Sequence, residues 1–111
     1  GFSESHVLAY NNYKKKCKSL SEQFPQYRTL FENYVLTEYI MFVVAMSRNG
    51  NYDKEILNEI VEFVNRNKSQ YCKAGYIEPK FRISVRIFCI HYKLFVLGYR
   101  TMEQMRYMLL K

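Results

Sequence analysis

Eight consecutive residues, Tyr39-Ile-Met-Phe-Val-Val-Ala-Met46, form the longest uninterrupted apolar run in the chain. On a helix such a run is apolar around its whole circumference, so other elements must enclose it. It is far shorter than the ~20 residues that a helix needs to cross a bilayer. Enclosure in a chain of 111 residues points to one domain built around this segment. Four Gly and two Pro are too few for an all-β chain with many tight turns. Eleven Tyr and eight Phe argue against disorder. The expected fold class is all-α: a compact bundle of four main helices plus a short C-terminal helix.

The first helix is expected to begin at Ser3 or Ser5, either of which can cap it. Tyr10, Tyr13, Cys17, Leu20 and Phe24 recur at steps of three and four, which lays down one apolar face. Lys14, Lys15, Lys16 and Lys18 occupy the rest of that surface, a pattern typical of a solvated face. Phe24-Pro25 interrupts the helix, because the residue before proline avoids helical geometry. A second helix should run from about Pro25 to Ser47 and end in the turn "RNGNYD". Asp53 is then a good cap for "KEILNEIVEFVNRN", which turns Ile56, Leu57, Ile60, Val61 and Val64 inward and Glu55, Glu59 and Glu62 outward. "KSQYCKAGYIEP" reads as the longest connection, and Pro79 suits the first turn of a fourth helix. Gly98 is expected to end that helix, with Thr101 and Gln104 forming a capping box for a short last one.

Segment 80–100, "KFRISVRIFCIHYKLFVLGYR", is apolar enough for a core helix yet carries five basic residues and no acid. At about 100° per residue, a continuous helix gathers Arg82, Arg86, Lys93 and Arg100 into one stripe and puts Phe81, Phe88 and Phe95 on the far side. Long cationic stems allow such a helix to bury most of its circumference while the charges reach outward. Residues 80–111 carry a net +6 of the chain's +7. A basic stripe flanked by apolar residues fits an anionic membrane surface, so these four residues are the candidate membrane or anionic-partner contacts. The competing expectation is the solvated face of a core helix. Nucleic acid ranks lower, because no RNP, KH or zinc-finger motif is present and the aromatics lie away from the stripe.

No catalytic residue and no metal site is expected here. Cys17, Cys72 and Cys89 are an odd number without paired spacing, which favours buried free thiols over disulfides or zinc. His91, away from the stripe among apolar residues, reads as a core histidine. No Gly-rich phosphate loop exists, so no cofactor is expected in this segment.

Three stretches carry a family resemblance. "GFSESHVLAYNNYKKKCKSL" is similar to a Ser-rich exit from a catalytic domain that runs into a basic helix. "FPQYRTLFENYVLTEYIMFVVAMSRNG" is similar to a proline-started helix ending in an apolar run, and "PKFRISVRIFCIHYKLFVLGYR" to a closing basic and apolar helix. Together they resemble the C-terminal helical tail of bacterial family 2 glycosyltransferases, which build capsule, exopolysaccharide and lipopolysaccharide chains. The resemblance spans nearly the whole chain as a texture without an invariant motif. It implies a helical accessory domain beside an N-terminal catalytic domain that uses a nucleotide-sugar and a divalent metal through an Asp-x-Asp sequence, which is absent here; Asp53-Lys-Glu55 is not that motif. Because the chain starts at Gly1, as after tag removal, residues 1–111 are expected to be a single helical domain at the C-terminal end of a longer chain. The implied partners are the catalytic domain of the same chain, an anionic membrane surface and further copies, in the cytoplasm at the inner membrane. The alternative is a stand-alone helical interaction or regulatory module whose apolar end, "TMEQMRYMLLK", docks on a partner.

Overall fold

The computed structural model describes residues 4–49 and 53–110. The described residues form five helices and no strands: α1 (Glu4–Gln23), α2 (Arg28–Asn49), α3 (Lys54–Lys73), α4 (Pro79–Ile90) and α5 (Tyr92–Leu110). The all-α class read from the sequence is the one observed, although helix lengths differ. A Ser3 cap and the centre of the "RNGNYD" turn lie outside the described residues; Ser5 sits inside α1.

Each helix junction has a local cause. Phe24 leaves helical geometry (φ −129°, ψ 69°) ahead of Pro25, and a 3₁₀ turn, Pro25–Tyr27, leads into α2. Asp53 caps α3, its Oδ1 accepting from the backbone N–H of Glu55 at 3.0 Å and of Ile56 at 3.2 Å. A cap of this kind stabilises a helix by about 1 kcal/mol. Pro79 occupies the first turn of α4, where its missing N–H costs nothing.

Helix α2 is the centre of the molecule. It packs on α1, α3 and α5, while α4 lies mainly on α3. Leu36, Val43 and Met46 are fully buried on it, with Val35, Tyr39 and Ile40 almost so. Met41 is the exception in the apolar run, being 51% exposed, so the enclosure leaves one side open. Ile56, Leu57, Ile60 and Val64 face α2 from α3, as their spacing requires.

Three boundaries depart from expectation. Helix α3 continues through Lys73 and takes in half of the segment expected as a long connection, leaving only residues 74–78 between helices. Tyr71 explains the extension: its ring is fully buried and its hydroxyl shares a 2.6 Å hydrogen bond with Thr37 on α2. The same region buries Asn33, which donates to the Tyr76 hydroxyl at 2.8 Å and accepts from Gln70 at 3.2 Å. A buried amide satisfied on both ends fixes the register of α2 against α3.

The second departure is at His91, where the expected single helix breaks (φ −160°, ψ 90°). The His91 N–H still donates to the Ile87 carbonyl at 3.1 Å, and the His91 carbonyl accepts from Leu94 and Phe95 at 3.1 and 3.2 Å. One helix therefore closes and the next opens with few backbone groups unpaired. The break redirects the chain from α3, on which α4 packs, to α2, on which α5 packs. It also brings the Phe88 and Phe95 rings to 5.4 Å at 87°, although seven residues of straight helix would rise about 10 Å.

The third departure follows from the second. Gly98 does not end a helix and Thr101 does not cap one; both lie inside α5, which at 19 residues is a main helix and not a short tail.

Candidate functional site

Helices α4 and α5 each have two apolar faces. On α4, Val85 and Phe88 are buried while Ile83, Ile87 and Ile90, at helical spacing, point outward. On α5, Phe95 and Val96 are buried with Tyr92 and Tyr99 half-buried beside them. Leu94, Leu97, Met105 and Met108 recur on the opposite side and are all more than half exposed. At the junction Ile90 reaches 83% exposure, and from Gln104 to Leu110 every residue is exposed. The last two turns of α5 thus run past the core. Single exposed apolar residues are ordinary on a surface, but a strip sustained over two consecutive helices is not.

Cations border these strips. Arg86, Lys93 and Arg100 are exposed and, among the described residues, take part in no ion pair. By helical angle Arg86 lies beside the Ile83–Ile87–Ile90 strip, and Lys93 and Arg100 lie beside Leu94 and Leu97. From Pro79 to Leu110 the sequence contains one acid, Glu103, which turns to Arg48 on α2 at 3.7 Å. Arg48 also sits over the Tyr99 ring, 6.0 Å from its centroid. The outward faces of α4 and α5 therefore carry positive charge without a counter-charge of their own.

Three expectations about this segment need correction. Arg82 is not a free member of the stripe: its guanidinium donates to the Ile77 carbonyl at 2.7 and 3.0 Å and to the Gly75 carbonyl at 3.3 Å, closing the α3–α4 connection. The break at His91 also means that Arg82, Arg86, Lys93 and Arg100 do not share one continuous helical stripe. His91 itself is exposed, with Nδ1 accepting from the Leu94 N–H at 3.4 Å, and is not a core histidine.

A second feature is a cleft of about 830 Å³ between α1 and α3, floored by α2. Across one end the Tyr10 hydroxyl donates to Glu59 Oε2, which also accepts from Lys14 Nζ at 3.1 Å. Glu59 was expected to point simply into solvent; its role in joining α1 to α3 has no signature in local spacing. Burial is the main cause that raises the Tyr10 pKa well above the usual tyrosine range, with the hydrogen bond to Glu59 second. Burial likewise pushes Tyr39 up to about 12. The Tyr10 hydrogen bond, then Lys14, holds the Glu59 carboxyl below its ordinary value.

These shifts have a sign. A folded-state pKa above the unfolded value of about 10 stabilises the fold below pH ~10, and that contribution is lost as pH rises through the folded values. Thermal stability is therefore expected to fall above pH ~10, followed by circular dichroism. Tyrosinate absorbance should show Tyr10 and Tyr39 among the late-ionising groups, with Tyr13, beside Glu38, and the buried Tyr71 also raised. Replacing Tyr10 and Tyr39 by Phe should lessen the alkaline decline, the remainder coming from Tyr13 and Tyr71; an unchanged decline would contradict the assignment.

Among the described residues, no group of three or more His, Cys, Asp or Glu could hold a metal ion. All three cysteines are free and half-buried, and burial raises the thiol pKa of Cys17 and Cys89. No described helix is long and apolar enough to cross a membrane. Comparison of the chain with protein-family models, curated proteins and solved structures finds no match.

Proposed function

We propose that this chain is a non-catalytic helical accessory domain of a bacterial family 2 glycosyltransferase in cell-surface polysaccharide synthesis, and that it holds the enzyme against the anionic inner face of the membrane. The observation that supports this most is the outward face of α4 and α5, apolar along its length and bordered by Arg86, Lys93 and Arg100. Each cation near an anionic surface contributes about 1 kcal/mol. Fully burying one Leu, Ile or Met side chain contributes about 1.5–3 kcal/mol. Stable peripheral binding needs both contributions together, and this face supplies both. The nucleotide-sugar, the divalent metal and the catalytic base belong, in this reading, to the catalytic domain that the resemblance implies.

Self-association through the same face is disfavoured, because it would bring together two segments of net +6. The exposed apolar end of α5 supports a second reading, a protein-interaction module in which that end occupies a partner's groove. Cosedimentation with lipid vesicles separates the two. The membrane reading expects binding to vesicles containing phosphatidylglycerol, weak binding to phosphatidylcholine alone, and loss at high salt. Failure to bind anionic vesicles at low salt would overturn it and leave the protein-interaction reading.

A further inference from the structure

The α1–α3 cleft lies away from the α4–α5 face and plays no part in the membrane reading. Its rim carries four cations (Lys14, Lys18, Arg28, Arg66) and four carboxylates (Glu22, Glu32, Glu59, Glu62). Lys14 pairs with Glu59 at 3.1 Å and Arg28 approaches Glu32 at 3.8 Å. Among the described residues Lys18, Arg66, Glu22 and Glu62 form no ion pair, and all four are exposed, so this part of the cleft presents charges of both signs in equal number.

One further group there has spare hydrogen-bonding capacity. Asn67 uses its amide N–H on the Phe63 carbonyl at 2.8 Å and leaves its oxygen unused. The Ser21 hydroxyl is buried in the α1 wall beside the Cys17 thiol one turn away. Val35 and the half-buried Phe63 ring supply apolar surface on the floor and the α3 wall.

Balanced charge argues against an anion such as a nucleotide or nucleic acid, which would require an excess of cations. It argues equally against a free cation. A neutral polyhydroxylated ligand uses donors and acceptors together, and offers C–H faces to apolar floor residues. The volume falls within the range of small-molecule sites. We propose that the α1–α3 cleft is a binding site for a neutral saccharide, held by Asn67, Glu62, Lys18 and Arg66 over Val35 and Phe63. In the setting proposed above, this would be part of a sugar chain presented to the enzyme; the site itself rests on the cleft alone.

The test is a titration of the 111-residue chain with lactose, maltose and cellobiose, followed by NMR of backbone amides, the Asn67 side-chain amide and the Phe63 ring. Inorganic phosphate serves as the charged comparison. At least one disaccharide should give saturable shifts confined to the cleft, with affinity reduced about tenfold in Glu62→Gln and in Asn67→Ala. The spectra of both variants report directly that they remain folded. No saturable shift with any of the three sugars would overturn the proposal, as would sugar shifts unchanged in both variants or displacement of the sugar by phosphate. No lipid is present, so failure here leaves the membrane reading standing, and failure of vesicle binding leaves this one standing.

Discussion

Phe88→Ala should unfold at much lower urea than the parent chain, with a loss of about 3–5 kcal/mol. Phe88 is 2% exposed and sits where α4, the break and α5 meet. Its ring lies 5.4 Å from Phe95 and 6.2 Å from Tyr92, so truncation removes packing on both sides of His91 at once. A domain of this size has about 5–15 kcal/mol in total, which makes the change a large fraction of the whole. Phe88→Leu keeps most of the volume and should cost well under half as much. The measurement is equilibrium unfolding with an unchanged urea dependence. A loss below about 1 kcal/mol would mean that the break is not held by this cluster.

The second large effect concerns binding. Neutralising Arg86, Lys93 and Arg100 together to Gln should weaken association with anionic vesicles by about 3 kcal/mol, on the order of 100-fold. All three side chains are exposed and form no ion pair among the described residues, so the folded state should scarcely notice their loss. Arg82→Gln should behave in the opposite way. Its guanidinium serves the Ile77 and Gly75 carbonyls, so the variant should lose stability while binding vesicles almost as well. Vesicle cosedimentation and urea unfolding of both variants separate the roles; equal loss of binding in both would return Arg82 to the membrane face.

Much of the helix layout was legible because its causes are local. Pro25 and Pro79 act through their own rings, Asp53 through a carboxylate two and three residues from its donors, and the inward face of α3 through strict helical spacing. The features that were missed have causes distant in sequence. Helix α3 extends because Tyr71 finds Thr37, 34 residues away. The chain breaks at His91, where no Gly or Pro marks the position, because α3 and α2 take successive parts of it. Gly98 misled for the matching reason: a glycine inside a helix costs only about 1 kcal/mol, which tertiary packing readily offsets.

The candidate face was half legible. Its cations and its lack of acids are plain in the sequence, but spacing alone does not say how much of the apolar circumference the bundle covers. A helix with two apolar faces does not say which one the bundle will take. Only the positions of α2 and α3 show that Phe88 and Phe95 face inward and the aliphatic strip is left outside. Glu59 shows the same limit from the other direction, since a surface carboxylate on α3 gains its partners from α1.

The chain contains no Trp, so a single introduced indole reports one position without background. Ile90→Trp places it at the most exposed point of the aliphatic strip on α4, and Tyr34→Trp places it on α2, 59% exposed and outside the proposed face. Both variants are mixed with phosphatidylglycerol vesicles, with and without brominated acyl chains. The membrane reading predicts a blue shift and strong quenching for Ile90→Trp, and a solvent-like, unquenched signal for Tyr34→Trp. An indole at position 90 that stays in water while vesicles are present, or equal quenching at both positions, would contradict it.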